Sequence, residues 1–138
     1  MICTDSGVGN YDTFWNTTSL RGNIKADFNV KVLKEGVHSG DASGIVPSSF
    51  RIIRNLIDRI ENSQTGEVRS EFHVDIPPRR YEEAFNTATD LAKEKIIDIF
   101  PFHGNTKPTT ENVLQAYLNR TWRPALSIVG GGNNIEKQ

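Results

Sequence analysis

Leu20-Arg21-Gly22-Asn23-Ile24-Lys25-Ala26-Asp27-Phe28-Asn29-Val30-Lys31-Val32 is the stretch on which the fold reading turns. Every even position is apolar or small, and every odd position is polar. Side chains on an extended chain alternate between two faces, so this pattern predicts a strand with one buried and one solvated face. The buried set would be Ile24, Phe28, Val30 and Val32.

Working outward, Glu35 to Gly44 contains three glycines and no apolar period, which predicts a loop carrying His38. Pro47 and Ser48 then open a helix over about 48–62, with Ser48 or Ser49 as N-cap. Its apolar positions Phe50, Ile53, Leu56, Ile57 and Ile60 recur at helical spacing, with Arg51, Arg54, Asp58 and Arg59 opposite. Phe72 to Ile76 reads as a short extended piece stopped by Pro77-Pro78. A second helix follows on Tyr81, Ala84, Phe85, Ala88, Leu91, Ala92 and Ile96, running to about Ile99. After a break at Phe100 to Gly104, Thr109 or Thr110 caps a third helix bearing Val113, Leu114, Tyr117 and Leu118. Pro124 to Val129 reads as a closing strand. Strand, helix, helical insertion and strand in this order predict an α+β fold, a ferredoxin-like α/β sandwich with a helical insertion. Only two strands of that unit are convincing, so the sandwich is expected to be incomplete. Both ends of the chain read as cuts within a larger protein.

The 138 residues are 36% hydrophobic and 24% charged, with a formal net charge of -1. That is globular composition in the size range of one domain. The charge balance gives no bulk attraction for nucleic acid or an anionic membrane. No apolar run reaches the roughly 20 residues of a membrane helix. Cys3 is the only cysteine, so no internal disulfide forms, and a reducing, cytoplasmic setting is expected.

Few residues carry chemistry. Asp5, in the turn Asp5-Ser6-Gly7, can cap that turn or ligate a divalent metal. His38 is either a solvated loop residue or a hydrogen-bond donor to a developing oxyanion, since its glycines permit close approach of a substrate. His38, His73 and His103 are too far apart for a local metal motif, and there is no HExxH, CxxC or phosphate loop. Glu82-Glu83 sits on the amphipathic second helix and reads as solvated. In Asn119 to Pro124, Trp122 either packs on the core or lies beside an arginine that meets a substrate.

Three segments together carry a resemblance: Thr17 to Gly22 (TTSLRG), Glu35 to Phe50 (EGVHSGDASGIVPSSF) and Asn119 to Ile128 (NRTWRPALSI). In order and approximate spacing they resemble the dipeptidase branch of the M20 zinc metallopeptidases, the carnosinase-like and cytosolic nonspecific dipeptidases. The resemblance implies a hydrolase of dipeptides or related amides, with two zinc ions in the intact enzyme and a lid domain that forms a homodimer. It implies that residues 1–19 end a catalytic-domain segment and linker, and that 20–138 are the lid, truncated at its C-terminus. It matches Asp5 to a zinc-ligating aspartate of the intact enzyme. It matches His38 to the lid histidine that stabilises the tetrahedral intermediate in the partner's active site. No position is matched to substrate binding. The alternative is a non-catalytic M20-like module for dimerisation or interaction. The family's HxD motif, catalytic Glu-Glu pair and C-terminal metal histidine have no counterpart in this chain, so no metal is expected to bind it firmly. The purified 138-residue chain should therefore hydrolyse no dipeptide when zinc, manganese or cobalt is added. Metal-dependent release of amino acids that disappears in Asp5→Ala would overturn this expectation.

Overall fold

The computed structural model describes residues 9–93 and 97–131. Four α-helices occur in this part: α1 (Ser39–Ala42), α2 (Ser49–Ile57), α3 (Pro78–Lys93) and α4 (Val113–Thr121), with a short 3-10 turn at Ser70–Phe72.

Helix α3 begins at a proline, which suits a first helical position because that amide has no intrahelical acceptor. The Pro77 carbonyl accepts from the amides of Arg80 and Tyr81. Ala84, Ala88 and Leu91 fall on one face and are buried, while Tyr81 and Phe85 on the flanks stay substantially exposed. The methyl groups of Ala84 and Ala88 permit close approach, and α4 is the helix that occupies it. Leu118 of α4 is 0% exposed and Leu91 only 2%. This α3–α4 contact is the main core of the described residues; Val68, outside both helices, is also buried. Asn112 starts α4 by accepting from the amide of Gln115 at 3.0 Å. Thr110, expected as the cap, accepts instead from the amide of Asn112 at 3.2 Å, one step earlier.

Two segments distant in sequence are tied to this pair. Gly9 lies against α3: a Cβ there would stand 2.5 Å from the Trp15 ring and 2.8 Å from Leu91. Asn10 Oδ1 accepts from the Trp15 indole at 3.2 Å and from the Thr13 amide at 3.0 Å. Further on, one guanidinium nitrogen of Arg21 donates to the carbonyls of Asn119 (3.0 Å) and Arg123 (2.6 Å), at the C-terminal end of α4. A cation there meets carbonyls that the helix leaves without intrahelical partners.

Helix α2 starts where expected but ends at Ile57, short of the expected limit near 62. Ser48 caps it, accepting from the amide of Arg51 at 3.4 Å. Beyond it the chain reverses through Asn62 to Gly66. Asn62 Oδ1 accepts from the amides of Gln64 and Thr65, and the Asn62 carbonyl accepts from Gly66 at 2.7 Å. Gly66 has φ +73°, a left-handed conformation that costs a glycine little.

The expected ferredoxin-like sandwich is not formed. Among the described residues there is no sheet, only an isolated antiparallel bridge between Glu61 and Val68. Residues 20–32 are extended or irregular without ladder partners; Ile24 is 94% exposed and Phe28 48%. Ile24 and Phe28 are therefore not buried beneath α2, whose own Phe50 is largely exposed. The reason is physical. Alternation states which side chains would share a face, but a strand also requires a neighbour for its amides and carbonyls. No other extended segment lies alongside this one among the described residues. Pro124 to Val129 is likewise unpaired, with Ile128 and Val129 exposed, and the expected extended piece at Phe72 starts inside the 3-10 turn. The glycine-rich loop is not wholly irregular either, since α1 forms within it.

If the α3–α4 contact is the core, Leu118→Ala should lower unfolding free energy by about 2–5 kcal/mol. Phe50→Ala should stay within about 0.5 kcal/mol. Urea unfolding followed by circular dichroism tests both, and the reverse ranking would place the core at α2.

Candidate functional site

His38 stands in an extended backbone conformation, φ -64° and ψ 128°, as the cap of α1. Its Nδ1 accepts from the backbone amide of Gly40 at 3.2 Å. The Asp41 carboxylate lies 3.7 Å from the same nitrogen, and both side chains are exposed, at 78% and 89%. Of the two, only the Gly40 amide is within hydrogen-bond distance of Nδ1. A neutral ring that accepts from Gly40 must carry its proton on Nε2. In the neutral state Nε2–H is a donor with no protein acceptor among the described residues. Gly40 matters sterically, because a Cβ there would lie 2.8 Å from His38 Cε1 and 3.0 Å from Nδ1.

The other sequence-selected residues separate from His38 in role. Asp5 and Cys3 lie outside the described residues. His73 Nε2 is 3.0 Å from the Val68 carbonyl and half-buried, a bond that holds the segment after the Gly66 turn. Glu83 is captured by two cations: Arg79 Nε at 3.1 Å and Arg80 Nη1 at 2.6 Å. The hydrogen bond from Arg80, and then its charge, hold the Glu83 carboxyl below its usual range, with Arg79 acting the same way. A carboxylate stabilised in this manner is a poorer proton acceptor. Arg123 spends one guanidinium nitrogen on Gln115 Oε1 (2.7 Å) and Asn119 Oδ1 (2.8 Å), so it braces the end of α4. Trp122 is half-buried at the same helix end.

Among the described residues, no group of three or more His, Cys, Asp or Glu side chains is placed to hold a metal ion. None of the described helices is long and apolar enough to cross a membrane. Open grooves occur among the described residues. One of about 420 Å³ lies beside Phe102, Pro108 and Val113, and one of about 510 Å³ beside Arg51, Arg54 and Ile128. Neither is lined by His38. The bracing of α4 by Arg123 had a sequence signal, because Gln115 and Asn119 precede it by eight and four residues on one helical face. The Arg21 contact had none, since its partners are backbone carbonyls 98 and 102 residues away.

No model of a known protein family matches the chain, and no curated protein matches it.

Two measurements test this geometry. In nitrogen-15 spectra at neutral pH, the neutral form of His38 should be mainly the Nε2–H tautomer. Gly40→Ala should weaken that bias, and an unchanged tautomer ratio would show that Gly40 does not set it. For Glu83 the sign follows from its lowered pKa. Its contribution to α3 is present above the ordinary glutamate range and is lost as pH falls through the lower, folded value. Helical signal should therefore decline over that acid range, with a shallower decline in Glu83→Gln. Identical acid profiles would mean the two arginine contacts do not hold in solution.

Proposed function

We propose that the chain is part of a zinc-dependent M20-type metallopeptidase that hydrolyses dipeptides or related amides, and that His38 is its contribution to the chemistry. The observation that carries this reading is the state of the His38 ring. Gly40 occupies Nδ1, which leaves Nε2–H as an exposed and unspent donor. An N–H donor held at this position suits the oxygen of a tetrahedral intermediate, where negative charge develops only as the carbonyl is attacked. The resemblance in the three sequence segments supplies the reaction class.

In this reading a homodimer brings His38 to the partner's active site, and peptide is the substrate. Asp5 is one ligand of a two-zinc centre in the intact enzyme. Zinc there would polarise the scissile carbonyl and activate water. The described residues do not provide the ligand set for such a centre, so no step is assigned to them beyond oxyanion binding by His38. A cytoplasmic setting belongs to the same reading, through the single cysteine, Cys3.

The exposed apolar residues Ile24 and Phe50 favour a second reading, a non-catalytic M20-like module for dimerisation or interaction. In the intact enzyme, His38→Ala should reduce turnover on the order of a hundredfold or more, the scale of losing one oxyanion donor. Metal content should be unchanged. A mixed dimer separates the alternatives further: one subunit carries His38→Ala and the other a destroyed zinc site. If His38 acts across the interface, both lesions fall on one active site, and about half of wild-type activity should survive. Near-zero activity would put His38 in its own subunit's site. Full activity in the His38→Ala homodimer would return His38 to a solvated loop residue with no part in the chemistry.

A further inference from the structure

We draw no further inference here: the strongest candidate, the amphipathic surface of α2 with Phe50 exposed on one side and the open groove beside Arg51 and Arg54 on the other, carries nothing because no feature of the structure shows what covers it.

Discussion

The contact between α3 and α4 is the constraint on which the described structure depends. It is where side chains leave water almost completely: Leu91 and Leu118 lie between the helices, and Ala84 and Ala88 let the backbones approach. Burying a leucine contributes about 1.5–3 kcal/mol relative to leaving it exposed, whereas surface ion pairs such as Lys107–Glu111 contribute about 1 kcal/mol or less. Removing the helix contact would also strip the N-terminal arm of its supports, because Gly9 rests against Leu91 and Arg21 ends on α4.

Helices α2, α3 and α4 were legible in the sequence because each carries its own instructions, whereas α1 forms in a stretch that reads as a loop. Ser48 caps α2, Pro78 opens α3, and the apolar positions of both recur at helical spacing. These signals are local, and a helix satisfies its backbone within itself. The sheet was not legible in the same sense. Residues 20–32 alternate cleanly, yet alternation names a face and not a neighbour, and a strand's backbone must be satisfied by another segment. The same gap affected the apolar face of α2. Phe50, Ile53, Leu56 and Ile57 do lie on α2, Ile60 falls in the turn beyond it, and the strand they were expected to cover is not formed among the described residues. The start of α4 was misplaced by a few residues for a smaller reason. Thr110 and Asn112 are both competent caps, and the side chain nearer the apolar run prevailed.

The candidate site divides similarly. That His38 lies exposed among glycines could be read from its neighbours, whereas the proton arrangement on its ring could not. It depends on the amide of Gly40, which by donating to Nδ1 sets the tautomer of the neutral ring. Glu83 is the contrasting case. It was read as solvated, and its side chain is only half-exposed, where Arg79 and Arg80 hold it as a carboxylate.

The hydrogen bonds of Arg21 have a consequence for the order in which the chain assembles. They join positions 98 and 102 residues apart. Closing a loop of that size from an open chain costs about 4 kcal/mol, as much as or more than one charge-assisted hydrogen bond returns. Once α3 and α4 have met and Gly9 is seated beside Leu91, only about a dozen residues of slack remain, and the cost falls to about 2 kcal/mol. Arg21 therefore closes after the helices and opens before them. The amides around Arg21 should therefore exchange with solvent through a local opening that leaves Leu118 buried, rather than through global unfolding.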